Sequence, residues 1–339
     1  MAMKTRQRHP PLKALRMRAG ALLVDGAFNG LALLGRLHPR ADPEQHGVEV
    51  LHDVPYTTSQ REHHTLDVYR PRDRAHGPLP VVLYVHGGGF RILSKDTHWV
   101  MGLRFARHGY LVFNINYRLA PVHPYPAAIH DACEALRWVV DNAERFGGDA
   151  SNLTLAGESA GANLVTSLAI CATTPRPEPW ARAVFDADIP LRAVLPACGL
   201  LQASDAGRFA RRRKLPTYVA DRIEEVSESY LGGVSTDGPG GVELADPLLL
   251  LERDAPTARP LPPFFTFVGT ADPILDDTRR LAAALARRGV PCEVRYFEKE
   301  MHAFHALVWR PNARACWKES MAWLDGLTGA RAPARSPRG

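Results

Sequence analysis

From residue 80 onward, short apolar runs alternate with segments of helical period. Val81-Val82-Leu83-Tyr84-Val85 is uninterrupted and runs into glycines, the pattern of a strand buried on both faces. Residues 110–116, 153–156, 193–196, 264–268 and 292–297 are further strand candidates. Between them, residues 98–108, 127–146, 160–171, 276–288 and 311–327 are read as helices, several with apolar positions three and four apart. Two earlier runs, 48–56 and 65–69, lie close enough in the chain to form an antiparallel pair. This alternation predicts an α/β fold with a mostly parallel central sheet covered by helices on both faces.

Two stretches break the rhythm. In residues 1–45, Leu12, Leu15, Leu22, Phe28, Leu31 and Leu34 recur at loosely helical spacing, which predicts one or two amphipathic helices. Asp25 and Asn29 interrupt the apolar run 19–37, and no A-x-A site follows closely, so neither a signal peptide nor a transmembrane helix is expected. Residues 200–262 hold a basic run (Arg211, Arg212, Arg213, Lys214), a helical segment at 218–230 and a glycine-rich loop at 232–241. They read as an insertion between two strands. The expected organisation is an N-terminal helical segment (1–45), a main α/β unit (46–328) with an insertion at about 200–245, and a disordered basic tail (329–339).

Charge refines this picture without redirecting it. The chain of 339 residues carries 42 Lys+Arg against 36 Asp+Glu, a net of +6. Residues 1–42 alone contribute a net +6 and the tail +3, so the body between them is slightly acidic. A basic core for nucleic acid is therefore not expected. The five cysteines (Cys133, Cys171, Cys198, Cys292, Cys316) are widely spaced, with no C-x-x-C. They read as reduced thiols of a cytoplasmic protein, with no zinc site and no disulfide framework.

The chemistry concentrates at a few turns. Gly157-Glu158-Ser159-Ala160-Gly161 fits G-x-S-x-G and lies between a predicted strand and a predicted helix. Such a turn leaves no room for side chains at Gly157 and Gly161, lifts the Ser159 hydroxyl above the sheet edge, and exposes N–H groups of a new helix, including that of Ala160. His86-Gly87-Gly88-Gly89-Phe90 follows the strand 81–85, and its glycines let backbone N–H groups approach a carbonyl oxygen. No Gly-Lys-Ser/Thr follows, which excludes a phosphate-binding P-loop.

A serine nucleophile needs a base, and in this strand–turn–helix arrangement the order is serine, acid, histidine. Only His302 and His305 come late enough in the chain. Asp272 is the first carboxylate past the strand 264–268; Asp276 and Asp277 are alternatives that read better as helix-capping residues.

Taken together, HGGGF, GESAG, Asp272-Pro273-Ile274 with Asp276-Asp277, and the late histidine resemble the hormone-sensitive-lipase-like group of α/β-hydrolases, the bacterial family IV esterases. Tyr117-Arg118-Leu119-Ala120-Pro121, His123-Pro124-Tyr125-Pro126 and Phe146-Gly147-Gly148-Asp149 match as well, and the resemblance covers about residues 45–328. It implies Ser159 as nucleophile, Asp272 as orienting acid and His302 as base. It also implies an oxyanion hole from the N–H groups of Gly88, Gly89 and Ala160, supported by His86, Gly87, Gly157, Glu158 and Gly161, and a cap over the catalytic domain (46–328) built from residues 1–45 and the insertion at about 200–245. Two positions depart from the family. Val122 stands where Glu is usual, and Ala303 where Gly usually follows the histidine.

The expectation is a serine carboxylester hydrolase for short- to medium-chain esters, with no metal or cofactor. An amidase or deacetylase would use the same residues, and a non-catalytic ligand receptor would keep the pocket but lose a triad member. Expected partners are a small-molecule ester, weak membrane-surface contact through the basic N-terminus, and a second copy of the chain. His305 is expected to be dispensable.

Overall fold

A computed structural model describes residues 34–59, 61–73, 77–232, 234, 240–253 and 255–330, with isolated positions at 20, 26, 29, 30 and 32. Most of the expected N-terminal cap helices and all but two residues of the expected disordered tail lie outside the described residues.

Eight strands form one sheet in the order β1-β2-β4-β3-β5-β6-β7-β8. β1 (Val48–Pro55) and β2 (Thr65–Pro71) pair antiparallel, as expected, and β2 runs antiparallel to β4 (Leu111–Ile115). All remaining pairings are parallel: β4 with β3 (Leu79–Val85), then β5 (Gly148–Glu158), β6 (Leu191–Ala197), β7 (Phe264–Gly269) and β8 (Cys292–Phe297). Nine α-helices lie wholly within the described residues: α1 (Trp99–Ala106), α2 (Ala127–Asn142), α3 (Ala160–Thr173), α4 (Pro179–Asp186), α5 (Arg208–Arg212), α6 (Thr217–Leu231), α7 (Pro247–Glu252), α8 (Leu275–Arg287) and α9 (Pro311–Thr328).

The apolar run of β3 shows why the sheet is covered twice. Val81, Leu83 and Val85 join the core beneath α2 and α3. Val82 and Tyr84 join a second core against α1 and α9. Side chains alternate across a strand, so a continuous apolar run demands two buried faces.

Boundaries differ from the sequence reading where polar residues blur them. β5 begins at Gly148, five residues before the expected start, because Asp149, Ser151 and Asn152 disguise its first half. The helix expected over 127–146 stops at Asn142 and tightens to a 3-10 turn (Ala143–Phe146), closed by Gly147 in the left-handed region at φ 90°.

Asp276 and Asp277 lie in the first turn of α8 but do not cap it, which corrects the sequence reading. Asp277 is fully buried, accepts the Leu201 N–H at 2.8 Å and pairs with Arg208 of α5. Burial raises its pKa despite those partners. Arg208→Ala would leave that carboxylate with Arg280, at 3.8 Å, as its remaining cationic partner, and the expected loss is about 3 kcal/mol, read from chemical unfolding. A loss below about 1 kcal/mol would mean the pair is dispensable.

Candidate active site

The carboxyl ends of β3, β5, β7 and β8 meet at one edge of the sheet, where the crevice of an open α/β sheet takes its ligand. β5 ends at Glu158 and α3 begins at Ala160, leaving Ser159 alone to turn the chain. Its backbone sits at φ 53°, ψ −112°, a costly conformation for a residue with a Cβ. Three contacts hold it there: its N–H donates to Ala197 O, and its carbonyl accepts from Leu200 and Asn163. The flanking glycines are sterically obligatory. A Cβ on Gly161 would lie 2.0 Å from Val85 O, and one on Gly157 2.7 Å from the Gly161 carbonyl.

His302 follows β8 and brings its Nε2 to 2.9 Å from Ser159 Oγ. Its Nδ1 lies 2.8 Å from Asp272 Oδ2. Asp272, fully buried in the loop after β7, uses its other oxygen to accept the Ile274 N–H at 2.9 Å. The two loops are laced together: Ala271 N–H donates to Glu300 O, and Gly269 leaves space that a Cβ would fill to within 2.0 Å of that same carbonyl. Burial lowers the His302 pKa, but the charge and hydrogen bond of Asp272, with the charge of Glu158, leave it above the usual 6.5. The arrangement lets His302 accept the hydroxyl proton while Asp272 stabilises the resulting imidazolium.

Gly88 (φ 101°) and Gly89 (φ 61°) both occupy the region that favours glycine. Gly88 O accepts from the N–H groups of Arg91 and Ile92, which curls the loop. The Tyr117 hydroxyl braces it from below through His86 O at 3.0 Å. No hydrogen bond is described for the N–H groups of Gly88, Gly89 or Ala160, so all three can donate to a bound oxygen. Arg118 and Asp131 form a tight pair beside this brace, which accounts for the Tyr117-Arg118 motif.

α6, in the segment between β6 and β7, packs against the glycine loop. Val226 of α6 stands over Gly89, 2.5 Å from where a Cβ would be. Arg91 pairs with Glu225 at 2.9 Å, and Phe90 stacks on Tyr230 with ring centroids 3.7 Å apart. The basic run expected from sequence is also partly used here, since Arg213 donates to the Asp272 carbonyl.

Of the two departures from the family pattern, Val122 is exposed and lines nothing described here. Ala303 is left-handed at φ 55°, the conformation that explains the usual glycine and costs alanine about 1 kcal/mol. Cys198 Sγ lies within 4.8 Å of the Asp272 and His302 donor atoms, the one such cluster among the described residues. Those two groups are already bonded to each other. All five cysteines are unpaired, and no described helix is long and apolar enough to cross a membrane.

His305, expected to be dispensable, lies in the interior. It is 3% exposed, and its Nε2 lies 2.8 Å from Glu158 Oε2. His98 holds the other Glu158 oxygen at 2.9 Å. No local spacing pointed to this cluster.

Comparison with known proteins agrees with the geometry. The alpha/beta hydrolase fold family matches residues 82–306. Esterase LipI of Mycobacterium tuberculosis is 31% identical over 233 residues, covering 66% of this chain and 65% of that one. Carboxylesterase NlhH of the same organism is 32% identical over 244 residues, covering 67% and 66%. The aligned region thus spans just under two thirds of the length of these curated relatives. Among solved structures, esterase LipW of Mycobacterium marinum superposes with a TM-score of 0.70 at 27% identity, covering 96% of this chain and 97% of that one. The chain therefore belongs to the alpha/beta hydrolase fold family, in the hormone-sensitive-lipase-like group that its motifs resemble.

Proposed function

We propose that the protein is a serine carboxylester hydrolase acting on short- to medium-chain acyl esters. The observation that carries this reading is the unbroken run of contacts from buried Asp272 through His302 to Ser159 at the strand–helix turn. The esterase names of its relatives support the same class of reaction.

Ser159 Oγ attacks the ester carbonyl as His302 Nε2 takes its proton. The carbonyl oxygen becomes an oxyanion received by the N–H groups of Gly88, Gly89 and Ala160, each worth about 3–4 kcal/mol of barrier in comparable sites. His302 then protonates the leaving alcohol. Water, deprotonated by the same imidazole, releases the acid from Ser159. Asp272 keeps the ring in the required tautomer throughout. A p-nitrophenyl ester panel from acetate to palmitate tests the reading: turnover is expected to be best for the shorter chains. Hydrolysis of anilides but not esters would favour an amidase instead.

Residues 1–45 and about 200–245 form the cap in this reading. Support comes from α6 over the glycine loop, and from Gly20, whose Cβ would lie 3.2 Å from Tyr218 of α6. Shielding one methylene from water is worth about 0.8 kcal/mol, near a fourfold preference. Deleting residues 1–36 is expected to raise KM for medium-chain esters more than for acetate. An unchanged chain-length profile would remove this segment from the cap. A cytoplasmic location, supported by the unpaired cysteines, and weak contact of the basic segment with anionic membranes complete the reading; liposome co-sedimentation with and without residues 1–40 checks the latter. Self-association is checked by sedimentation.

A further inference from the structure

The turn that carries Ser159 has a second acidic group that the reaction just described does not use. Glu158 is the last residue of β5, 5% exposed, and touches the glycine loop: a Cβ on Gly87 would lie 3.1 Å from its Cγ. Its two oxygens face two different imidazoles. His98 Nε2 donates to Oε1 at 2.9 Å, and His305 Nε2 lies 2.8 Å from Oε2.

Each imidazole is itself fixed to a different piece of the site. His98 is the residue before α1, at the end of the segment that leaves the glycine loop, and its Nδ1 meets Ser94 O and Thr97 Oγ1. His305 lies three residues after His302. Its carbonyl accepts the Trp317 indole N–H at 3.0 Å, and its ring packs edge-on to Phe267 with centroids 4.9 Å apart. One carboxylate therefore ties together the oxyanion side, the nucleophile turn and the histidine loop.

We propose that Glu158 is a positioning residue for ester hydrolysis: clamped between His98 and His305, it fixes the His302 loop against Ser159 and sets a second negative charge behind the His302 imidazolium. This inference rests on the esterase reading above.

The charges around the clamp are consistent with that role. Burial opposes ionisation of Glu158, but His98 and His305 outweigh it and hold its pKa well below the usual 4.5. The other titratable neighbours are kept neutral. Burial pushes His86 down to about 3 and raises Tyr84, Tyr117 and Cys198. His302 thus feels two negative charges, Asp272 at hydrogen-bond distance and Glu158 one residue before Ser159, with the Cys198 thiol beside the Asp272–His302 pair.

The sign follows. Neutralising Glu158 removes one stabiliser of the imidazolium, so the His302 pKa falls and activity persists to lower pH. A purely structural role would lower the rate without moving that midpoint.

The test is the pH profile of kcat/KM for p-nitrophenyl acetate in wild type, Glu158→Gln, Glu158→Asp and His305→Gln. For Glu158→Gln we expect kcat to fall tenfold or more and the acidic midpoint to drop by about half a unit or more. Glu158→Asp retains the charge and is expected to hold the wild-type midpoint. His305→Gln is expected to lower kcat about tenfold with KM little changed. A folded Glu158→Gln enzyme with the wild-type midpoint overturns the inference. Should that variant not fold, a folded His305→Gln enzyme with wild-type kcat overturns it equally. A wild type without ester turnover would instead overturn the esterase reading, and this inference with it.

Discussion

Ser159→Ala is expected to lower kcat for p-nitrophenyl acetate by a factor of about 10⁴ or more while leaving the fold intact. The size follows from the chemistry. Without the hydroxyl there is no acyl-enzyme, and only the N–H donors and substrate binding remain to act on water. The fold is expected to survive because the hydrogen bond described for the Ser159 side chain is to His302, whereas the turn itself is held by backbone bonds to Ala197, Leu200 and Asn163. Far-UV circular dichroism and the thermal midpoint check that half. A variant with near-wild-type turnover would end the covalent mechanism, and a well-folded wild type that binds esters without cleaving them would favour a receptor.

The second large effect belongs to the pair behind the serine. His302→Ala is expected to abolish measurable turnover, and Asp272→Asn to cost on the order of 10⁴ in kcat by spoiling the tautomer. The two also differ in pH dependence. His302 must be neutral to take the proton, so kcat/KM falls as the pH drops through its pKa, which Asp272 and Glu158 together hold above 6.5. Removing the Asp272 charge moves that midpoint to lower pH. Asp276→Asn, by contrast, changes a partly exposed residue paired with Arg212 and Arg279, and is expected to leave kcat unchanged. Loss of activity there, with Asp272→Asn unaffected, would move the acid to α8.

The sequence made some of this site readable and hid the rest for physical reasons. Ser159 was legible because its turn is short and steric, so glycines at fixed offsets mark it. β3 was legible because a strand buried on both faces can hold almost nothing polar. Asp272 and His302 were reachable through chain order and family pattern, since each follows a strand. The buried role of Asp277 was not, because its partner Arg208 lies 69 residues away, in the insertion. The Glu158 clamp was hidden for the same reason: His98 is 60 residues off in sequence, and His305 comes after three further strands of the sheet. A histidine that pairs inside the protein has no local signature to separate it from one on the surface. The expectation that His305 is dispensable therefore changes with the structure, which buries it against the residue beside the nucleophile.

The central claim is that Ser159 becomes covalently acylated. The most direct measurement is intact-mass analysis of the full chain after incubation with a fluorophosphonate, followed by peptide mapping. The account predicts one adduct per chain, located on Ser159, lost in Ser159→Ala and strongly slowed in His302→Ala. An unmodified wild-type chain, or a single adduct on any residue other than Ser159, would contradict it.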